Sequence, residues 1–402
     1  MKALLLTQDF LPGQPGGIAI YYYNLCRRLE GAVSVLTTRC PDSSVFDGEQ
    51  SFPIHRRRIP ISPLSLSKQT AVSFMRWPRV GYVAASQWLQ FYRHGSRLAV
   101  EECADVVLIG HLYLAPLGVH LRRKTGVRYG VILHGGELHR YMRVGAIKRS
   151  MLNALNSADF LIVNSDFTRD QYHERGVRRD QRFLKVSPGV DTSVFRPDAG
   201  DPESVRRKYE LGDRPLVLSV ARLVEWKGQD TMLRALPEVL AEVPDALYLI
   251  VGGGPYRPDL ERLARQLGVY DHVVFTGFVH ESELPSYYRA ADVLAVPSRE
   301  VTKDVPIEGF GIVYVEAGAC GTPSIGGRGG GTNESIDDGV TGLRVDSDSP
   351  SEVAGATIQL LKDREMAQRF GRAGREFAVS NYDWSIQAKR LGGFLADLAS
   401  GR

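Results

Sequence analysis

Residues 307–316 read Ile307-Glu308-Gly309-Phe310-Gly311-Ile312-Val313-Tyr314-Val315-Glu316 and place two carboxylates eight positions apart, around a glycine pair and an apolar run. The glycines interrupt regular structure, and the mainly apolar residues from Ile312 to Cys320 predict a helix. Eight residues span slightly more than two helical turns. Glu316 is therefore expected on roughly the same face as the start of this helix.

Glu308 is expected just before the amino terminus of this helix. There the free backbone N–H groups and the helix dipole favour a bound anion such as a phosphate. A carboxylate cannot itself hold a phosphate, but it accepts hydrogen bonds from sugar and ribose hydroxyls. The pattern therefore predicts a helix start that holds a diphosphate, with a carboxylate for a hydroxyl on either side. An acidic helix cap followed by a solvated glutamate fits the spacing equally well.

Short apolar runs alternate with helical patterns in both halves of the 402-residue chain. Uninterrupted apolar strands separated by helices are typical of parallel sheets that are covered on both faces. A chain of this length exceeds one ordinary core and suffices for two domains. The sequence therefore predicts an α/β protein with two doubly wound, Rossmann-like domains. The predicted strands span residues 3–7, 33–37, 106–109, 129–133, 160–164, 183–186, 216–220, 246–251, 272–276, 293–296 and 322–326.

A stretch rich in Pro, Gly and Asp lies near the middle of the chain, from Pro188 to Pro202. Such a composition is typical of a domain linker. We therefore place an N-terminal domain at residues 1–195 and a C-terminal domain at residues 196–382. Ligands of doubly wound sheets bind at the carboxyl ends of the strands, so a central cleft is expected where the two domains face each other.

Charge is unevenly distributed along the chain, although the formal net charge is only +4. Residues 1–195 contain 26 basic and 15 acidic side chains, and the remaining residues contain 24 and 31. A basic half, with clusters such as Arg56-Arg57-Arg58, can face an anionic membrane surface or an acidic acceptor. Any single cluster is equally compatible with a solvated surface. No nucleic-acid-binding motif is recognisable, so nucleic acid is not expected as a partner.

The four cysteines, Cys26, Cys40, Cys103 and Cys320, show no paired metal-ligand spacing. Reduced thiols in a cytoplasmic enzyme are the simplest explanation. The apolar residues 3–6 are followed at once by polar ones, which favours a buried strand over a signal peptide. No apolar run approaches the ~18 residues of a transmembrane helix. The expected location is the cytoplasm, including the inner face of the membrane.

Two motifs suit a diphosphate. Gly16-Gly17 follows the first predicted strand and precedes a helix, so the backbone there can approach a phosphate closely. Arg222 and Lys227 follow the predicted strand 216–220, and a fixed pair of cations stabilises the charge of a departing diphosphate. An ordinary turn and a helix entry with two solvated cations explain the same residues.

A third motif, His134-Gly135-Gly136-Glu137, follows the predicted strand 129–133. A single histidine beside an apolar strand is more often structural than catalytic. Here the two glycines open the backbone next to the imidazole, at a strand end where ligands of parallel sheets bind. No Asp-x-Asp dyad stands at a suitable place, and no cluster of His, Asp and Glu has metal-ligand spacing, so no metal is expected.

These motifs occur in the order found in retaining GT-B glycosyltransferases of family 4, which the chain resembles over nearly its whole length. The paired glutamates Glu308 and Glu316 and the glycine-rich run 318–331 resemble the signature of that family. The chain departs from it at Thr332-Asn333-Glu334, where the family usually has a Pro-Glu pair. Residues 312–317 are similar to those of GDP-mannose-dependent mannosyltransferases. The resemblance implies the GT-B fold, with a terminal helix at about residues 383–402 that crosses back onto the N-terminal domain.

The resemblance also implies a role for each motif in the transfer of a hexosyl group. The donor diphosphate would lie at Gly16, Gly17, Arg222 and Lys227. Glu308 would hold a donor-sugar hydroxyl and Glu316 the ribose. The other implied donor-binding positions are Gly309, Phe310, Gly311, Ile312 and Val313 and, at the base, Gly277, Phe278 and Val279. His134 would act beside the donor sugar, together with Glu308 as the catalytic pair, and Glu137 would position the acceptor.

The expected reaction is retaining transfer of a mannosyl or glucosyl group from a GDP- or UDP-linked donor. The acceptor would be lipid-linked, a glycan or a small molecule. Glu308 is better explained as a sugar binder than as a nucleophile, so front-face attack is expected, without cofactor or metal. A sugar-nucleotide epimerase or a phosphorylase of the same architecture is an alternative, as is a non-catalytic nucleotide-sugar-binding protein.

Overall fold

The computed structural model describes residues 1–13, 16–29, 31–41, 43–61, 77–138, 145–299 and 308–400. The chain divides into two compact units: unit 1 comprises Met1–Ser187 with Gln387–Arg402, and unit 2 comprises Pro188–Ile386. The division after Ser187 lies eight residues before the boundary drawn from the sequence at residue 195. The reason is local pairing, because Val190 N–H donates to the Tyr382 carbonyl (2.8 Å) and Trp384 N–H to the Val190 carbonyl (3.2 Å).

Unit 1 contains a seven-stranded sheet in which neighbouring strands run parallel, in the order β3-β2-β1-β4-β5-β6-β7. The central strands are continuous apolar runs that are buried along their length, which is why both faces are covered by helices. The strands are β1 (Ala3–Leu6), β2 (Val33–Thr38), β3 (Ile54–Arg57), β4 (Val106–Ile109), β5 (Arg128–Leu133), β6 (Phe160–Val163) and β7 (Phe183–Lys185). The helices are α1 (Gly17–Cys26), α2 (Ser43–Gly48), α3 (Trp77–Glu101), α4 (Ala115–Thr125), α5 (Gly145–Ser157) and α6 (Asp166–Glu174).

Unit 2 contains a six-stranded parallel sheet in the order β10-β9-β8-β11-β12-β13. Its strands are β8 (Leu216–Val220), β9 (Leu247–Val251), β10 (Val273–Gly277), β11 (Val293–Val296), β12 (Ser324–Gly327) and β13 (Gly342–Val345). Its helices are α7 (Pro202–Lys208), α8 (Gln229–Glu242), α9 (Arg257–Gln266), α10 (Leu284–Ala290), α11 (Ile312–Ala319), α12 (Thr332–Ser335), α13 (Pro350–Lys362) and α14 (Arg364–Asn381). The last helix, α15 (Trp384–Ala399), belongs to unit 1 from Gln387 onward.

The predicted α/β class with parallel sheets is confirmed. Two strands were missed, β3 and β13, and both lie at the edge of their sheet. β3 has the sequence Ile-His-Arg-Arg and is only half-buried, and β13 is Gly-Leu-Arg-Val in a glycine-rich stretch. An edge strand is covered less completely than a central one, so neither carries the uninterrupted apolar run by which the other strands were found.

Both sheets reverse their strand order near the centre, between β1 and β4 in unit 1 and between β8 and β11 in unit 2. Connections that leave the carboxyl ends of such neighbouring strands diverge and open a crevice there. The motifs singled out from the sequence follow these strands or their neighbours β5, β9 and β10. The fold therefore places them at the carboxyl edge of the sheet in each unit.

Candidate active site

An ion pair joins the two motifs of unit 2 that follow β8 and β11. Lys227 Nζ donates to Glu308 Oε2, and the two side chains are only 19% and 14% exposed. The Glu308 carbonyl is fixed as well, because it accepts from Gly331 N–H at 2.8 Å in the glycine-rich run after β12. The structure thus brings together a cation assigned to the diphosphate and a carboxylate assigned to the sugar.

A second ion pair secures the backbone around Lys227. Arg299 N–H donates to the Trp226 carbonyl at 2.9 Å. The Arg299 guanidinium donates to both carboxylate oxygens of Asp230 (2.9 and 2.8 Å) and to the Thr231 hydroxyl (2.7 Å). These contacts tie the connection after β11 to the start of α8, so the position of Lys227 is determined by a buried, bidentate anchor. Arg299 is not among the site residues predicted from the sequence.

The connection after β8 packs against a glycine turn that follows β9. Gly252 has φ 135°, and a Cβ built on it would lie 2.0 Å from the Ala221 carbonyl oxygen, so only glycine fits. Leu223 N–H donates to the Gly253 carbonyl at 3.0 Å, and Gly252 N–H donates to the Gly277 carbonyl at 2.8 Å. Arg222, which is exposed, thereby lies in a turn fixed from both sides.

The segment assigned to the base follows this turn. Gly277 ends β10 and Val279 packs against the core of unit 2, whereas the Phe278 side chain is 82% exposed. A large exposed aromatic ring next to a glycine turn is available for stacking. The predicted base contact is the backbone of these residues, and the exposed ring of Phe278 lies beside it.

Helix α11 begins at the predicted place. Its N-cap, Gly311, has φ 84° and offers no side-chain cap to the first turn. Tyr314 donates its hydroxyl to the Val296 carbonyl at 2.5 Å, which anchors the first turn to the end of β11. Phe310 is buried, while Ile312 and Val313 are half-buried against the core of unit 2. Gly309 precedes Phe310 in the same connection.

Glu316 lies two residues beyond Tyr314 in the same helix, and its Oε2 accepts the Tyr288 hydroxyl at 2.6 Å. Burial raises the pKa of this carboxyl to about 7, although the Tyr288 hydrogen bond acts in the opposite direction. The two glutamates of the motif therefore have different partners, a lysine for Glu308 and a tyrosine for Glu316. A carboxylate half-ionised near neutral pH is typical of a functional site.

In unit 1, His134 lies at the end of β5 against two tyrosines. Its Nε2 is 2.7 Å from the Tyr22 hydroxyl, and its ring meets that of Tyr21 edge-on at 5.4 Å. Tyr22 donates its single hydroxyl hydrogen to the Gly110 carbonyl, so its oxygen accepts from Nε2–H. This network assigns the proton to Nε2 and leaves a lone pair on Nδ1. Burial lowers the pKa of His134 to about 4, so the imidazole is neutral.

A second histidine, which the sequence analysis missed, lies beside this group. His111 follows β4 and is 3% exposed, with Nε2 3.0 Å from the Thr7 hydroxyl and 3.9 Å from Asp9 Oδ2. Its Nδ1 lies 3.7 Å from Glu137 Oε1, and Glu137 also accepts from Leu112 N–H at 3.4 Å. The structure thus places Glu137, the predicted acceptor residue, in a group with Asp9 and His111 at the carboxyl ends of β1, β4 and β5.

Gly16 and Gly17 lie at the start of α1 on the same edge of this sheet. Gly16 is the N-cap in extended backbone, without a side-chain cap, and Gly17 is the first helical residue. Helix α1 also carries Tyr21 and Tyr22, so the glycine turn and the histidine at the end of β5 share one scaffold. No motif could reveal His111 or Asp9, because residues more than 100 positions apart meet only in the folded sheet.

Comparisons with known proteins agree with these motifs. The model of glycosyl transferases group 1 matches residues 201–377, and that of Glycosyltransferase Family 4 matches residues 15–194. The GDP-mannose-dependent alpha-(1-6)-phosphatidylinositol monomannoside mannosyltransferase of Mycobacterium tuberculosis (strain CDC 1551 / Oshkosh) is 35% identical over 401 residues, which cover 98% of either chain. The chain belongs to the family 4 glycosyltransferases.

Two further comparisons concern the family and the fold. The protein of the same description from Mycolicibacterium smegmatis is 41% identical to this glycosyltransferase over 290 residues, 72% of this chain and 74% of that one. The crystal structure of Anabaena Alr3699/HepE in complex with UDP has a TM-score of 0.78 at 19% identity, over 99% and 100% of the two chains. That likeness concerns the fold and confirms the predicted GT-B architecture. The predicted enzyme class is confirmed by the relatives, which favour a transferase over an epimerase or a phosphorylase.

In the part of the chain that the structure describes, no helix is long and apolar enough to cross a membrane. Over the same residues, no group of three or more His, Cys, Asp and Glu side chains has the geometry of a metal site.

Proposed function

We propose that this glycosyltransferase moves a mannosyl group from GDP-mannose to a phosphatidylinositol mannoside, with retention at the anomeric carbon. The observation that carries the proposal is the similarity over 98% of the chain to a mannosyltransferase described by that donor and that lipid. The site residues support it, because a cation pair, two glutamates and a neutral histidine occur in one chain. UDP bound to a structural neighbour at 19% identity concerns the fold and does not favour a uridine donor.

In this proposal unit 2 binds the donor. Arg222 and Lys227 hold the diphosphate, and Gly16 and Gly17 of unit 1 remain the diphosphate-binding glycine turn predicted from the sequence. Glu316 accepts the ribose hydroxyls, and Glu308 accepts a hydroxyl of the mannose. Base contacts come from residues 277–279, and the start of α11 supplies the remaining contacts through residues 309–313. The ion pair between Lys227 and Glu308 prepares both side chains, because each is already oriented and half-buried.

Unit 1 would supply the acceptor side. Neutral His134 offers its Nδ1 lone pair to a sugar hydroxyl, and Glu137, with Asp9 and His111 beside it, accepts the hydroxyls of the acceptor. In front-face attack the bond from the anomeric carbon to the diphosphate oxygen breaks as the acceptor oxygen bonds on the same face. The acceptor proton passes to the departing phosphate oxygen. The cations at Arg222 and Lys227 stabilise the charge that the diphosphate gains.

The cation pair makes a divalent ion unnecessary at the diphosphate, and no cofactor is required. Turnover should therefore be unchanged by a chelator such as EDTA. Loss of turnover with EDTA, restored by magnesium, would contradict this part of the proposal. The proposed acceptor also implies work at a lipid surface, which suits the basic first half of the sequence.

The test is transfer itself. Purified protein is given GDP-mannose, UDP-glucose or UDP-galactose, with phosphatidylinositol monomannoside in detergent micelles, and the products are analysed by mass spectrometry and NMR. We expect one added hexose only from GDP-mannose, with an α-anomeric signal. The Glu308→Gln variant serves as the inactive control. A β-linked product would contradict retention, and transfer from a uridine donor alone would contradict the assigned donor.

A further inference from the structure

A basic pocket lies in unit 1 at the carboxyl ends of β2 and β3. Its cavity of about 560 Å³ is lined by three arginines, Arg39, Arg56 and Arg58, together with Ser43, Ser44 and Asp47. None of these residues has a role in the transfer proposed above. We propose that this basic pocket binds the phosphate group of the lipid acceptor. The inference rests on the proposed function, in which the acceptor carries a phosphodiester.

Arg56 has a structural role in the pocket and does not contact the ligand in this proposal. Its side chain is 6% exposed and donates to Asp47 from Nε (2.8 Å) and from Nη2 (2.9 Å). It also donates to the Leu11 carbonyl at 2.5 Å and to the Thr38 carbonyl at 3.2 Å. The charge of Arg56 is thus neutralised by Asp47, and its hydrogen bonds fix the walls that β2, α2 and the connection after β1 contribute.

Arg39 and Arg58 differ from Arg56 in this respect. Both are exposed, and no ion pair or side-chain hydrogen bond joins either one to another of the residues described. Their backbones are held together, because Arg39 N–H and Ile59 N–H both donate to the Arg57 carbonyl at 2.8 Å. Two exposed guanidinium groups, for which no described residue supplies an ion-pair partner, therefore line one cavity at the edge of the sheet.

These guanidinium groups are suited to bind a phosphate. The planar fork of a guanidinium donates two parallel hydrogen bonds to phosphate oxygens, and two such forks can hold one group from two sides. The exposed Ser44 hydroxyl in the same cavity is a further donor of the kind that phosphates use, whereas Ser43 donates its hydroxyl hydrogen to the Cys40 carbonyl at 2.9 Å. A neutral glycan would leave both positive charges unpaired, so the pocket favours the anionic part of the acceptor over its sugars.

The pocket also lies on the appropriate edge of the sheet. β1, β2 and β3 are neighbours, and Arg56 bonds to Leu11 in the connection that leads to the glycine turn at Gly16. His134 and Glu137 follow β5 on the same carboxyl edge. A phosphate subsite there would hold the lipid acceptor by a group other than the reacting hydroxyl, which is a way to obtain binding energy without altering the chemistry.

The first experiment compares acceptor kinetics in the double variant Arg39→Gln/Arg58→Gln. The matched control is Arg123→Gln/Arg179→Gln, which removes the same charge from unit 1 at two exposed sites in connections leading to the amino ends of strands. Loss of one charged hydrogen-bond partner typically costs about a factor of 10 to 100. We expect such a rise in KM for phosphatidylinositol monomannoside, with kcat and the KM for GDP-mannose unchanged. Transfer to octyl α-mannoside, which has no phosphate, should stay the same.

The second experiment does not depend on transfer, so it decides the proposal even if the proposed function fails. Flotation is measured with phosphatidylcholine vesicles that contain phosphatidylinositol, and inorganic phosphate is added as competitor. We expect the double variant, but not the control, to lose binding to these vesicles. Wild-type-like vesicle binding by the double variant would overturn the proposal. Complete displacement by millimolar inorganic phosphate would assign the pocket to free phosphate instead and would overturn it too.

Discussion

The two units have the same strand order around the point where their motifs lie, yet they hold polar groups in opposite ways. Unit 2 pairs charge with charge, as Lys227 with Glu308 and Arg299 with Asp230 show. Unit 1 keeps His134 neutral by burying it against two tyrosines. In the proposed reaction this difference suits a charged ligand at the edge at α11 and hydroxyl groups at the edge at β5. A common fold thus carries two kinds of chemistry.

The largest effect is expected from Glu308→Gln. The amide keeps the shape of the carboxylate but cannot accept hydrogen bonds at both terminal groups, so the sugar is held less well in the transition state. Removing one such interaction costs about 100- to 1000-fold in kcat. Transfer from GDP-mannose is measured by scintillation counting, and folding is checked by the melting temperature. The control is Glu242→Gln, which breaks the surface ion pair with Lys362. Near-normal transfer by Glu308→Gln would contradict a role for Glu308 in binding the sugar.

The charge pairing in unit 2 is tested by nucleotide binding. Lys227→Gln should weaken the affinity for GDP by about 10- to 100-fold, because a charged donor to the diphosphate is lost. Glu308→Gln should keep or strengthen GDP binding, because it frees Lys227 from its partner. Both affinities are measured by isothermal titration calorimetry, with Lys362→Gln as the control for loss of a lysine. Weaker GDP binding in both variants would mean that GDP affinity depends on the intact ion pair and not on the charge of Lys227 alone.

A pH dependence should follow from Glu316. Burial raises the pKa of this carboxyl to about 7, and only the ionised form accepts hydrogen bonds from both ribose hydroxyls. GDP affinity should therefore rise with pH up to about 7 and level off above it, by up to about tenfold per pH unit on the rising limb. Calorimetric titrations are compared with those of Glu316→Gln, in which this dependence should disappear. The same slope in the variant would assign it to the nucleotide phosphates.

Acid stability provides the smallest effect and concerns unit 1. The pKa of His134 is about 4 in the folded chain and about 6.5 when unfolded, so below pH 6.5 the unfolded state binds more protons. The contribution of His134 to the free energy of unfolding is therefore fully present above about pH 6.5 and is lost as the pH falls towards 4. His134→Gln, which can still donate to Tyr22, should lose less stability between neutral and acid pH. The melting temperatures of the wild type and the variant are measured across this pH range. An equal fall in melting temperature in both proteins would show that His134 is not desolvated.

Much of the fold was predictable, since buried parallel strands are continuous apolar runs that can be found without neighbours. The strands β3 and β13 could not be found in this way, because edge positions do not require such runs. The relative positions of the residues in the proposed donor motifs were predictable for a related reason. Glu308 and Glu316 lie on one helix and its entry, so local spacing sets their relation, and Arg222 and Lys227 share a single turn.

The partners of these residues were not predictable. Arg299 reaches Asp230 only because β11 and β8 lie side by side, and Asp9 meets His111 only because β1 and β4 do. The basic pocket is a further case: the sequence displays the cluster Arg56-Arg57-Arg58 but not that Arg56 is neutralised by Asp47 while Arg58 joins Arg39. Which cation of a cluster is structural depends on burial, and burial is a property of the folded chain.

By itself the sequence determined the α/β class and the family, and it set the spacing of the glutamates in the donor motif, because strand patterns and motif spacings involve residues that are near in the chain. Only the tertiary structure decided which charges are paired, which histidine is neutral and which arginines remain open to a ligand. Those properties depend on the distance between groups brought together by parallel strands and on how much water is excluded around them. Coulomb energies and pKa values follow distance and desolvation, and neither is written in local sequence.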